Sequence, residues 1–456
     1  MGRVNIKLDQ RLFKIKLNLN LNTVIIGAGI SGLSTANFLS KKITNFLIIE
    51  SSDKVGGIID SFESEGYTCE NGPNTVLNNN MGVQELIDDL NLSEEIIYPD
   101  EQGVKNRYVL LNGKPAKIPL TFYDFFSTPL LSFFSKLRIL LEVFIPRHKE
   151  NTNVKSFISR RFGSEFHDKL IVPFLTGIYA DDTKFMSAKH TLKNIWELEQ
   201  KYGSVILGMI KMKRKSKPKI FTLLGGLSKL TDILKLKFDD KILFNTSISK
   251  IEKTSDGFNL ITNKEEKISC KNIISTIPSY SLSSLIPDNK LKHLLAKKDY
   301  IPIDVFHFGY DRKSLKNKID GFGLLTKPED NKSFLGILYS SNIFKHVSGE
   351  TNFLFTILVG GKRQRNLCKK NPKEIENIIL KEINSLLKIN SNPNFIKHYR
   401  WKRGIPTYDL SISDLILEIV RFEDENPNFN IHGNFHKGVS VSDCILNSKN
   451  LVENKF

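Results

Sequence analysis

A mixed α/β fold class follows from three observations on the 456-residue chain. An apolar run, Thr23-Val24-Ile25-Ile26, ends directly in Gly27-Ala28-Gly29-Ile30-Ser31-Gly32, and Leu33 to Leu39 continues with helical character. A second apolar run, Phe46 to Ile49, ends in the acid Glu50. Short β-rich runs (Val305 to Gly309, Phe334 to Tyr339, Phe353 to Val359) then contrast with a helical stretch over residues 118–217. The length exceeds what one hydrophobic core usually serves, so two or three lobes are expected.

The first element is strand, glycine turn, helix. In G-x-G-x-x-G, Gly27 permits the tight turn, Gly29 lets the backbone approach a pyrophosphate, and Gly32 allows close helix–strand packing, with Ala28 inside the loop. The new helix points its amide end at the phosphates. Glu50, ending the next strand, is placed to hold the ribose hydroxyls of an adenosine. This is a Rossmann-like dinucleotide-binding start. The pair Gly56-Gly57, soon after Glu50, resembles the second glycine segment of the flavin amine oxidase type of FAD domain, which implies noncovalent FAD in preference to NAD.

Composition narrows the classes. The net charge of +17, from 66 Lys and Arg against 49 Asp and Glu, suits a nucleic acid, an anionic substrate, an anionic membrane or a solvated lysine-rich surface, and with no recognition motif in the chain no nucleic-acid partner is expected. Cys69, Cys270, Cys368 and Cys444 form no CxxC pair, which argues against a disulfide framework or structural zinc and for a reducing compartment. The nine histidines form no HExxH motif, so no metal is expected. No apolar run reaches the roughly 18–20 residues of a membrane span. Residues 1–21 alternate apolar and polar from Phe13 to Leu21, which argues against a secretory signal; the lack of serine weakens an organellar transit peptide.

Further segments carry a more specific likeness. Tyr67-Thr68-Cys69-Glu70-Asn71-Gly72-Pro73-Asn74 resembles the E-x-G-P-N/R segment of protoporphyrinogen oxidases. Asn106-Arg107-Tyr108-Val109-Leu110 with Asn112-Gly113-Lys114, Pro173 to Ala180, Gly225-Gly226-Leu227 and Ser275 to Pro278 resemble four more segments of that family. Gly438-Val439-Ser440-Val441-Ser442-Asp443-Cys444-Ile445 is similar to its closing turn and final helix near the flavin. The resemblance runs from about residue 22 to the last residues. Two departures stand out: Asp181-Asp182-Thr183 where the family has Gly-Asp-Pro, and Leu358 where many relatives carry Phe.

The resemblance implies oxidation of protoporphyrinogen IX to protoporphyrin IX, by three hydride transfers to FAD with dioxygen as acceptor. Coproporphyrinogen III, or the substrate of a carotenoid desaturase, stands as the alternative. It implies that Arg107 holds a propionate, that Leu325, Leu338 and Leu358 sandwich the ring, and that the Gly177 backbone lies near the reacting carbon. A solvated arginine, ordinary core leucines and a plain loop glycine are the competing readings. Cofactor contacts are expected from Gly27, Ala28, Gly29, Gly32, Glu50, Gly56, Gly57, Gly72, Pro73, Asn74, Gly438, Val439, Ser440 and Val441. Tyr408 in Ile405-Pro406-Thr407-Tyr408 is read as structural, and Trp401, Lys402 and Arg403 receive no role.

The expected domain plan is a discontinuous FAD-binding domain (22–95, 218–278 and 395–456), a mixed-sheet substrate domain (96–117 and 279–394), a helical membrane-associated lobe (118–217) and an N-terminal extension (1–21). In the lobe, Phe125, Phe126, Leu130, Leu131, Phe133, Phe134, Leu137, Leu140 and Leu141 crowd together with Lys136, Arg138 and Arg147 interspersed, as in an interfacial patch or an ordinary helical core. The basic run Lys211 to Lys219 reads as a solvated linker, without the aromatic interleaving of a nucleic-acid site. The expected location is cytoplasmic and peripheral on the inner membrane face, with an organellar membrane as the alternative. A homodimer and hand-over of product to a chelatase stay open.

Overall fold

A computed structural model describes residues 21–212, 219–315 and 319–456. The alternating segment before Leu21 and most of the basic run, 213–218, lie outside the described residues.

Two seven-stranded sheets organise the chain. In the first, Leu21–Ile26 is central, with Phe46–Ile49 and Lys267–Ser275 parallel on either side. Ile242–Leu243 extends one edge in parallel. Phe429–Ile431 pairs in parallel with Lys267–Ser275. The strands are nearly all apolar because both faces are covered: Val24, Ile25, Ile48, Ile273 and Ile274 are fully buried. Helices Ile30–Ser40 and Val441–Lys455 pack together on one side, with Leu33, Ala36, Cys444 and Ile445 in the shared core. The four cysteines are free and buried.

The second sheet runs Phe395–Pro406, Tyr300–Asp311, Asn352–Gly360, Gly336–Leu338, Gly323–Leu325, Tyr108–Leu111 and Lys114–Lys117. Residues 395–406, assigned from sequence to the nucleotide-binding unit, therefore pair here, antiparallel to Tyr300–Asp311. Helix Pro372–Leu387 covers this sheet through Ile375, Ile379 and Ile383, a four-residue period that the strand-based reading of 279–394 passes over.

Between strands Lys114–Lys117 and Lys219–Leu223, residues 118–212 form a cluster of short helices. Its core is apolar around Phe157, Leu175 and Trp196. It also holds Arg161, fully buried and ion-paired with the equally buried Glu142 and Glu199. Leu130 and Leu131 belong to that core. Phe133 and Phe134, by contrast, are 73% and 80% exposed. No helix among the described residues is long and apolar enough to cross a membrane.

Candidate functional site

The glycine turn is built as a cradle. Gly27 N donates to Ile49 O at 2.8 Å, locking the turn onto the neighbouring strand. A Cβ at Gly32 would sit 1.9 Å from Gly27 O, so no side chain fits where the helix meets the turn. Gly56 N donates to Ala28 O at 2.9 Å, and Gly29 forms a bridge with Gly56. Glu50 Oε2 accepts from Ala28 N at 2.7 Å, and its Oε1 accepts from Ser52 N at 2.9 Å. Oε1 also accepts from Ser51 Oγ at 3.1 Å and Ser52 Oγ at 2.9 Å, so the room left for a ribose hydroxyl is at Oε2.

Beyond the cradle lies a cavity of about 410 Å3. One stretch of its wall comes from Gly72, Pro73 and Asn74 and from Val439, Ser440 and Val441; another comes from the second sheet, through Ile303, Val305, Leu338, Leu358 and Trp401. Gly177 and Ala180 of the helical lobe line it too. Helix Val441–Lys455 begins at this wall with a capping box: Ser440 Oγ accepts from Asp443 N, and the Asp443 carboxylate accepts from Ser440 N. Its first amides lack intrahelical partners and favour negative charge on a ligand.

The residues present fit a flavin dinucleotide. The backbone-only cradle admits a pyrophosphate, the carboxylate beside it suits a ribose, and the cavity is lined in part by a helix N-terminus suited to an electron-rich ring. Gly27, Ala28, Gly29, Gly32, Glu50, Gly56 and Gly57 come together at the cradle, while Gly72 to Asn74 and Val439 to Val441 come together at the cavity. Gly438 starts the turn and is gripped from behind: its N–H donates to Tyr408 Oη at 2.9 Å, and that hydroxyl donates to Asn434 O at 2.6 Å.

The residues read as substrate contacts are placed less uniformly. Leu338 and Leu358 line the cavity, whereas Leu325 and Arg107 do not. Leu325 packs directly behind Gly177, where an added Cβ would lie 2.6 Å from Leu325 Cδ2. Gly177 is a helical residue, within Val172–Tyr179, and not part of a loop. Arg107 stacks over the ring of Phe322, 5.0 Å from its centroid, and Phe322 does line the cavity. Its Nε is buried without a hydrogen-bond partner, and burial lowers its pKa from the ordinary value.

The departure at Asp181-Asp182-Thr183 is absorbed away from the cavity. Asp181 pairs with Lys362 at 3.3 Å, Asp182 with Arg363 at 3.2 Å, and Thr183 Oγ1 lies 2.9 Å from His167 Nε2. None of the three lines the cavity.

Three lining residues went unassigned in the sequence. Trp401 Nε1 donates to Asn71 O at 2.7 Å, tying the second sheet to the Gly-Pro-Asn segment. His346 lines the cavity with both ring nitrogens buried and unpartnered, and burial lowers its pKa. Glu70 accepts from Ser61 Oγ at 2.6 Å and Leu227 N at 2.8 Å, and burial raises its carboxyl pKa to about 7. Only Glu70 sits in a recognisable motif; the other two are brought in by pairing between distant strands.

Known proteins agree with this geometry. Residues 30–423 match the family of flavin containing amine oxidoreductases. The mitochondrial protoporphyrinogen oxidase of Nicotiana tabacum is 29% identical, over 94% of this chain and 93% of its own. The coproporphyrinogen III oxidase of Bacillus subtilis is 25% identical, over 94% of this chain and 97% of its own. Among solved structures, a candidate protoporphyrinogen oxidase from Exiguobacterium sp. 255-15 superposes with a TM-score of 0.83 at 22% identity, covering 96% of this chain and 98% of that one. With the family match extending over most of its length, this chain belongs to the flavin containing amine oxidoreductases.

Proposed function

We propose that the protein oxidises a porphyrinogen to its porphyrin with noncovalent FAD, protoporphyrinogen IX being the substrate and dioxygen the final acceptor. One observation carries the substrate class: among the described residues the cavity is walled mainly by aliphatic and aromatic side chains, no Lys or Arg lines it, and Arg107, whose Nε has no hydrogen-bond partner, lies just behind Phe322. A broad apolar disc with few carboxylates matches that arrangement. The names of the tobacco and Bacillus relatives support it.

The flavin, when bound, supplies the acceptor for a hydride from a carbon bridging two pyrroles. The chain's residues then have separable tasks. Pro73, Asn74 and Val439 bound the space for the flavin ring, and the amides opening helix Val441–Lys455 favour charge gained there. Leu338, Leu358 and Phe322 orient the tetrapyrrole. Arg107 anchors a propionate, for which the guanidinium fork is suited. Gly177 keeps the helical wall low where the ring must approach. His346, held neutral by burial, offers a ring nitrogen as acceptor to a pyrrole N–H.

The second reading is coproporphyrinogen III, which the Bacillus relative favours. It carries four propionates in place of two, and the scarcity of cations at the cavity argues for the two-propionate substrate. The deciding experiment adds each porphyrinogen to the FAD-loaded protein without oxygen and follows flavin bleaching and porphyrin fluorescence. Faster bleaching with protoporphyrinogen is expected, with oxygen consumption when air is admitted. Absence of bleaching by either compound would remove the reading.

The exposed apolar residues of the helical lobe support peripheral contact with a lipid surface. Ile178 both lines the cavity and is 46% exposed, so the cavity reaches the surface on the lobe's side.

A further inference from the structure

Trp401 faces the flavin cavity, but its neighbours on the same strand line a second cavity of about 710 Å3 that shares no residue with the first. In a regular strand consecutive side chains point to opposite faces, so Lys402 and Arg403 should not meet one space. The pairing explains why they do. Ile301 stands opposite Ile405 and Ile303 opposite Trp401, so residues 402–404 bulge out against Pro302 alone. A bulge re-aims side chains, and proline has no N–H to offer the ladder.

The charge around this cavity is unbalanced. Arg400 is held by Asp304 at 2.6 and 3.1 Å, and Arg365 by Asp299. Asp299 is the one carboxylate on the lining among the described residues. Lys369, Lys402 and Arg403 have no carboxylate partner there, and Arg403 lies 4.2 Å from the centroid of the Tyr280 ring. Lys298 also lines it, but its buried ammonium lies over the Tyr408 ring, 5.2 Å from the centroid, within the field of Asp409, Asp181 and Asp299.

We propose that this second cavity binds a small molecule bearing clustered oxyanions, phosphate or carboxylate, held by Lys369, Lys402 and Arg403. The site is independent of the reaction proposed above. Multiple cations converging on one concavity favour a polyvalent anion over single ions, which the surrounding salt displaces.

Calorimetric titration of the FAD-loaded full chain, at physiological ionic strength, tests it with inorganic pyrophosphate and separately with citrate. Saturable binding of one equivalent is expected for at least one of them, and which one binds tells phosphate from carboxylate. K402A/R403A should weaken binding at least tenfold, and K369A on its own should weaken it measurably. K267A/K271A, which removes the same charge from exposed positions on the other sheet, should leave it unchanged. Flavin absorbance and thermal melting confirm that each variant is folded. No binding of either probe, or equal loss in K267A/K271A, would overturn the proposal.

Discussion

Arg107 and Glu70 are both ionisable groups deprived of water, with opposite consequences. Arg107 keeps a buried Nε without a hydrogen-bond partner, and on the proposed function a substrate carboxylate meets its guanidinium. Arg107→Ala should raise KM about ten- to a hundred-fold, the ~1.5–3 kcal/mol of a charge-assisted hydrogen bond, with less effect on kcat. Arg107→Lys should restore part of it, as steady-state kinetics would show. Glu70 holds its proton in the folded protein up to about pH 7, while the unfolded chain releases it near 4.5. The folded state thus binds more protons across that window, and stability falls as pH rises through it, by roughly 3 kcal/mol. Urea unfolding at pH values below and above the window should show Glu70→Gln gaining on the parent at the higher pH. A gap that does not change with pH would refute the assignment. Of these residues, Arg107 and Glu70 stand in motifs readable along the chain. His346 and Trp401 do not, because their place at the cavity depends on which strands pair.

On the proposed function, the turn into helix Val441–Lys455 is an element that meets the flavin. Gly438 has φ of +130°, and a Cβ there would lie 2.5 Å from Asp443 Cβ. The Ser440–Asp443 capping box then starts the helix. Ser440→Ala should cost about 1 kcal/mol of stability by loss of the cap. It should also weaken FAD binding several-fold, as flavin fluorescence titration would measure, while Ser440→Thr retains both. This turn was legible through its resemblance to the family's closing glycine turn and final helix, a short contiguous segment. The strand Phe395–Pro406 was not: its edge-to-edge partner Tyr300–Asp311 lies about ninety residues earlier, and no local pattern announces the bulge opposite Pro302. Helix Pro372–Leu387 had a readable isoleucine period, overlooked beside the β-rich runs that flank it.

Across the whole molecule, the helical lobe leaves Tyr123, Phe133, Phe134 and Phe144 each at least 73% exposed. These residues suit a lipid interface, where each buried aromatic contributes about 1.5–3 kcal/mol. F133S/F134S should therefore lower co-sedimentation with anionic vesicles at least tenfold, while porphyrinogen oxidation in detergent stays unchanged. Retained sedimentation would point to ordinary surface residues. The sequence announced the apolar crowding; only the packing shows that Leu130 and Leu131 turn inward and Phe133 and Phe134 outward. The charge surplus likewise gained an address, since part of it gathers at the second cavity.

The first sheet also bears on how the protein is made. Its central strand, Leu21–Ile26, is synthesised early, but its parallel partner Lys267–Ser275 and the flanking Phe429–Ile431 emerge hundreds of residues later. Pairings so distant in sequence are slow to form. A ribosome-bound chain holds the phosphate cradle long before the far wall of the flavin pocket exists. Cofactor capture therefore belongs to the last moments of synthesis or after release, and nascent chains stalled before residue 441 should emerge colourless.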